Sequence, residues 1–197
     1  ACRCTGDKRR KVFNSNMGKI RKDFKYKKIK NFFNKDELKI LQTYCDIKLR
    51  VSTSNFFTTD WKQGFYGDLI MEAILLNKKD FLSKECGLEL LPTYSFWRLY
   101  TKFQKLPKHK DRPSCEISVT ACIKNDKTKW PIFLDGESVE LDPGDACIYL
   151  GCESLHWREE FTGDNNIQAF FHFVDKDGPY SNFYMDERIF WGVDKYK

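Results

Sequence analysis

Residues 99–120 read LYTKFQKLPKHKDRPSCEISVT, and the fold turns on them. The last six, Cys115–Thr120, alternate in the manner of a strand with one buried face. Just before them stand His109, Lys110 and Asp111. Side chains two apart on a strand share a side, so His109 and Asp111 are expected to face the same way. The chain holds only three histidines, and the next one, His156, falls 47 residues later in CIYLGCESLHWREEF, another strand-like stretch.

Working outward from this segment, the chain is written in short strands. Segments 95–100, 116–123, 130–134, 138–141, 146–150, 156–159 and 167–174 are aromatic or β-branched and separated by turn residues. The turns include Asp135-Gly136, Asp142-Pro143-Gly144-Asp145 and Gly163-Asp164-Asn165-Asn166. Seven or eight closely spaced strands predict a mainly β sandwich or jelly-roll barrel over about 90–175. The tail, 176–197, carries Tyr180, Phe183, Phe190 and Trp191 and is expected to fold back as a cover.

Toward the N-terminus, Tyr26–Phe33 reads as a short strand. Asn34 with Glu37 three residues on is a capping-box start, and Leu38, Leu41, Tyr44, Cys45 and Leu49 form the apolar stripe of a helix over 34–50. Val51–Trp61 reads as loop or strand. A second helix is expected over 68–86, burying Leu69, Ile70, Ala73, Ile74, Leu76, Phe81 and Leu82, with Gly87 as the left-handed stop. Residues 26–197 thus form a single domain with two helices supporting the strands.

The formal charge of +6 conceals an asymmetry. Residues 1–30 carry twelve Lys/Arg against two Asp, whereas residues 31–197 carry 22 basic against 26 acidic side chains. Residues 1–25 lack periodicity and read as a basic flexible arm, suited to an acidic protein, an anionic surface or nucleic acid. Nothing approaches a membrane span of roughly 20 apolar residues, and the first thirty residues lack the apolar core of a signal peptide. Of the eight cysteines, Cys115, Cys122, Cys147 and Cys152 lie in or beside core strands as small hydrophobes. Cys2 and Cys4 have no second pair nearby to build a zinc site. Inert thiols point to a reducing, cytoplasmic compartment.

Two imidazoles and one carboxylate on neighbouring strands match the 2-His-1-carboxylate set that holds non-haem Fe(II) on one face and leaves the other open. Set in this order, LPKHKDR, the CEISVT strand, LDPGDACIYLG and LHWREEF resemble Fe(II)/2-oxoglutarate-dependent dioxygenases, in the style of the prolyl-4-hydroxylase-like branch. The resemblance covers about 91–188. It implies a double-stranded β-helix of the jelly-roll or cupin kind, with His109, Asp111 and His156 on iron, 2-oxoglutarate as co-substrate and O₂ as oxidant. Asp111 separates the chain from halogenating relatives, which carry a small residue there.

The resemblance further implies a 2-oxoglutarate site. Relatives place a basic residue on the last strand of the barrel, where this chain has the neutral Gln168. Tyr100 stands where relatives have a co-substrate tyrosine, and Arg98 shares its strand face. Ser118 and Thr120 can add hydroxyls, and Arg158, two after His156, is the other cation. Arg112 is a candidate to orient substrate or brace Asp111, and Trp130, Trp157 and Tyr94 are candidates for the cavity mouth. His172 reads as a satisfied core or rim residue. The implied reaction is hydroxylation of a peptidyl or free amino acid, or of another small molecule. The alternatives are a catalytically silent metal-binding barrel and an oxygenase that reaches nucleic acid through the basic arm.

Overall fold

The computed structural model describes residues 24–54 and 64–192. The basic arm lies outside them but for its last residues. Two antiparallel sheets and two long helices give a mixed α/β architecture. The six-stranded sheet runs β1 (Tyr26–Ile29), β8 (Ala146–Leu150), β5 (Ile117–Asn125), β10 (Asn166–Asp175), β3 (Leu90–Tyr100) and β2 (Gly64–Tyr66). The four-stranded sheet runs β4 (Leu106–His109), β9 (His156–Arg158), β6 (Ile132–Leu134) and β7 (Glu137–Val139). Among the described residues no strand pairing joins the sheets, so the expected sandwich or jelly roll is seen as two facing antiparallel layers and not as a closed barrel.

Strand parity divides the larger sheet into two chemistries. On β5, Ile117, Val119, Ala121 and Ile123 enter the main core with Ile148 of β8 and Ala169, Phe171 and Phe173 of β10. That face packs on helix α1 (Lys35–Ser54) through Leu41 and Cys45, and on α2 (Leu69–Cys86) through Met71, Leu75, Leu82 and Cys86. Tyr94, Phe96, Arg98 and Tyr100 of β3, Ser118 and Thr120 of β5, and Gln168, Phe170 and His172 of β10 turn the other way, toward the smaller sheet.

The helices start as their sequences dictate. Asn34 Oδ1 accepts the backbone N–H groups of Asp36 (3.0 Å) and Glu37 (2.9 Å), while Glu37 accepts that of Asn34 (2.9 Å). Asp68 caps α2, and Gly87 ends it at φ 71°. Helix α1 runs four residues past Arg50, so Val51–Ser54 is helical; the remainder of the expected loop lies outside the described residues. On α2 the expected buried face is partly wrong. Leu69, Leu76 and Phe81 are exposed, while Met71, Leu75 and Cys86 are buried. Apolar residues surround this helix, so spacing alone cannot select the face.

Described residues of the C-terminal segment pack against β3 and α2. Residues 181–187 form two short helical turns separated by a kink, and Met185, Asp186 and Glu187 take positive φ there. Buried Arg188 pairs with buried Glu72 of α2 at 2.7 Å and donates to the Thr93 carbonyl. The six described cysteines are free thiols. Burial pushes Cys115, Cys122 and Cys147 up to about 12, leaving them unreactive. None of the described helices is long and apolar enough to cross a membrane.

Candidate metal centre and co-substrate cavity

His109 and His156 meet across the ladder between β4 and β9, where they are register partners. Asp111 is not on that strand, as the two-residue spacing suggested. It lies past the end of β4, and its N–H donates to Gly151 O at 2.9 Å. A 3-10 turn, Pro113–Cys115, then leads into β5. The two ligand candidates therefore converge through a turn anchored on Gly151. No side chain fits at that glycine: a Cβ would collide with the Cys115 carbonyl and come within 2.5 Å of Asp111 Oδ2.

The donor atoms are arranged for a cation. His109 Nε2 and His156 Nε2 each lie 3.4 Å from Asp111 Oδ1, and the three ligand atoms lie within 4.8 Å of one another. Each Nδ1 sits against a carbonyl, Pro107 O at 2.8 Å for His109 and Ser154 O at 2.9 Å for His156. A proton on Nδ1 satisfies those carbonyls and leaves both Nε2 lone pairs aimed at one point, as metal-bound histidines require. Ser118 Oγ donates to the far oxygen, Asp111 Oδ2, at 2.7 Å. Burial alone would raise the Asp111 carboxyl; hydrogen bonds from His109 and His156 hold it well below the usual carboxylate range. His109 is shifted up by its hydrogen bond to Asp111. The chemistry and spacing of this donor set fit a divalent metal with open positions.

Beside the triad a cavity of about 260 Å³ opens between the sheets. Tyr94, Phe96, Arg98 and Tyr100, all on one face of β3, line it with Phe170 and His172 of β10 and Tyr149 of β8. Arg98 lies over the Tyr100 ring at 4.3 Å, and its buried Nε has no hydrogen-bond partner. Behind this wall Arg158 is 1% exposed, donating to Trp130 O, to Gln168 Oε1 (3.1 Å) and to Thr120 Oγ1 (3.3 Å). Its Nε is likewise unpartnered. Among the described residues no carboxylate pairs with either guanidinium. The structural ion pair that would explain Arg158 without a ligand is therefore not there.

Other candidates fall elsewhere. Arg112 forms a two-pronged pair with buried Asp186 (2.8 Å each) and lies over the Tyr94 ring, so it does not brace Asp111. Ser118 is taken up by Asp111, the Cys115 carbonyl and His172 Nδ1, away from the cation end of the cavity. His172 is thus a satisfied residue on the cavity wall, held down to about 4 by burial. Trp130 is buried behind Tyr100. Trp157 alternates to the opposite side from His156, stacking on Phe133 at 5.1 Å. Neither lines the cavity. Sequence reasoning missed Gly151, Tyr149, Phe96, Phe170 and Asp186. Strand parity with Tyr100 and Gln168 would have found Phe96 and Phe170; nothing local marks Asp186.

No family model matches the chain, and no curated protein matches it. Solved structures do. The viral collagen prolyl hydroxylase vCPH from Paramecium Bursaria Chlorella virus-1, as a 2OG complex, aligns at TM-score 0.56 and 12% identity, over 78% of this chain and 97% of its own. EctD from S. alaskensis with bound Fe aligns at 0.59 and 13%, over 76% and 72%. A Pseudomonas putida prolyl-4-hydroxylase aligns at 0.55 and 15%, over 82% and 98%. The chain thus shares its fold with 2-oxoglutarate/Fe(II) oxygenases, prolyl 4-hydroxylases among them.

Proposed function

We propose that this protein is an Fe(II)- and 2-oxoglutarate-dependent oxygenase that hydroxylates an unactivated C–H bond, converting the keto acid to succinate and CO₂. The observation that carries this reading is the convergence of His109 Nε2, His156 Nε2 and Asp111 Oδ1 on one point beside a cavity lined by Arg98, with Arg158 buried behind its wall and paired with no carboxylate among the described residues. When bound, the iron supplies oxygen activation and the keto acid the matching electrons. His109, Asp111 and His156 would hold the metal, with Ser118 and the Pro107 and Ser154 carbonyls fixing ring orientation and carboxylate rotamer.

Arg158 lies two residues beyond His156 on the same strand face, about 7 Å along it, a span that suits the far carboxylate of a metal-chelating five-carbon keto acid. Arg98, directly across the ladder from Gln168, approaches the same end from β3. Tyr100 has the Arg98 guanidinium 4.3 Å over its ring, and the positive charge of both arginines acts on its hydroxyl. We assign the far carboxylate to Arg98, Arg158 and Tyr100, with Thr120 and Gln168 orienting Arg158. In this chain the cation expected at residue 168 would come from the neighbouring strand β3 and from β9 of the facing sheet. A buried carboxylate needs such charge-assisted partners. Phe96, Phe170 and Tyr149 would keep the reacting centre dry.

A peptidyl or free amino-acid substrate is the reading that the prolyl hydroxylases among the structural neighbours favour. Free buried thiols and a ferrous site suit a reducing, cytoplasmic setting. Gln168 in place of a cation is the one feature that favours a silent metal-binding protein.

The test is succinate formation from 2-oxoglutarate with added Fe(II), comparing wild type with His109→Ala. Turnover that needs His109 is the expected result, and failure of the anaerobic iron-loaded protein to bind 2-oxoglutarate would overturn the reading. Arg98→Gln and Arg158→Gln are each expected to weaken 2-oxoglutarate binding about tenfold or more, from loss of a charged hydrogen bond. If neither does, the carboxylate assignment is wrong.

A further inference from the structure

The segment that carries two of the three metal ligands also carries an unusual density of positive charge. Between Thr101 and Arg112 stand Lys102, Lys105, Lys108, Lys110 and Arg112 against a single acid, Asp111, which belongs to the metal set. The rest of residues 31–197 holds 17 basic and 25 acidic side chains, so this is a positive strip on a negative body. Arg112 is neutralised by Asp186. The four lysines are exposed, and none has an ion-pair partner among the described residues. From Lys105 to Lys110 the strip runs along β4 and its flanks, an edge strand of the smaller sheet. At strand rise that is about 16 Å, longer than a small-molecule contact, and it passes directly over His109.

We infer that this strip docks an extended acidic peptide segment and delivers one of its residues to the cavity beside His109, a conclusion that rests on the oxygenase reading above. Charge complementarity selects a polyanion, and the aromatic residues then decide between peptide and nucleic acid. Single-stranded nucleic acid binds by stacking bases on free ring faces. Trp157 has neither face free: Phe133 stacks on one side and the Lys108 ammonium lies 4.3 Å from the ring centroid. Lys102 likewise lies over Phe103. Ammonium groups thus lie over both rings of this surface, exposed Phe103 included. Pro107 and the register shift between Leu106 and His109 make β4 a poor template for strand addition, so side-chain charge carries the recognition.

The experiment uses the full chain loaded with Mn(II) and 2-oxoglutarate, so that binding is read without turnover. Fluorescence anisotropy is measured with three probes: a peptide with a central proline flanked by glutamates, the same peptide with glutamines instead, and a single-stranded oligothymidylate. The acidic peptide is expected to bind about tenfold or more tighter than the neutral one, and to weaken with added salt. Charge reversal of Lys102, Lys105 and Lys108 to Glu is expected to remove that preference while 2-oxoglutarate affinity stays within about twofold. Reversal of Lys8, Arg9 and Arg10 in the N-terminal arm is expected to leave the preference in place. The inference is overturned by equal binding of both peptides, by no peptide binding, by loss of binding only on reversing the arm, or by tighter binding of the oligonucleotide through the same lysines. Failure of the oxygenase reading registers separately, as absent succinate formation.

Discussion

At the scale of single residues, the candidate metal centre depends on groups outside its three donors. Gly151 accepts the Asp111 N–H, and its missing Cβ is the space that the carboxylate and Ser118 occupy. Gly151→Ala is expected to displace Asp111 and cost about 10–100-fold in metal affinity, the range for lost supporting contacts. Co(II) absorbance titration reads the loss, with circular dichroism confirming that the fold persists. Metal binding is also proton-linked, because both imidazoles must offer a bare Nε2. His109 is shifted above its ordinary value by Asp111, so in the metal-free protein it holds its proton to higher pH. Affinity for Mn(II) is therefore expected to fall as pH drops, starting above the usual imidazole range, and a flat profile from pH 8 to 6 would contradict the site. The triad was legible because its residue types are rare and their order is distinctive. Gly151 was not, since the sequence displays no contact between a glycine and a carboxylate forty residues earlier.

At the scale of elements, caps and alternation did the specifying. The reciprocal bonds between Asn34 and Glu37 fix the start of α1, and Lys78 of α2 reaches Glu37 at 2.9 Å. Asn34→Ala is expected to cost about 1 kcal/mol, measurable as a lower urea midpoint with unchanged slope. These starts were readable because capping is local. The buried side of α2 was not, because that depends on the surface it meets: Phe81 is exposed although its neighbour Leu82 is fully buried. The bounds of strand β4 escaped notice for a similar reason. Leu-Pro-Lys-His has no alternation of its own and is extended because β9 pairs with it.

At the scale of the whole molecule, two charge pairs tie distant parts of the chain to the site. Arg112, next to Asp111, is held by Asp186, which also accepts from Tyr66 Oη at 2.5 Å. Arg188, two residues on, reaches buried Glu72, so the C-terminal segment spans from the metal-ligand turn to helix α2. Glu72→Ala would leave a buried guanidinium without its counter-charge, a change that typically costs about 3–5 kcal/mol. Denaturant unfolding is expected to show that loss, and a change below about 1 kcal/mol would mean the pair is dispensable. Strand β5 reaches just as widely through parity. Its odd residues, Ile117 to Ile123, are hydrocarbon for the helices, while Ser118 and Thr120 serve the metal and the guanidinium. Inserting or deleting one residue there would send hydroxyls into oil and isoleucine onto the metal ligands in the same event. Single substitutions along β5 can therefore be tolerated one at a time where a change in the length of the strand cannot. On β10 the register shifts at Ile167/Gln168 and His172/Phe173 fall on either side of the stretch that faces the cavity. They mark the places where an extra residue can be absorbed without that exchange of faces.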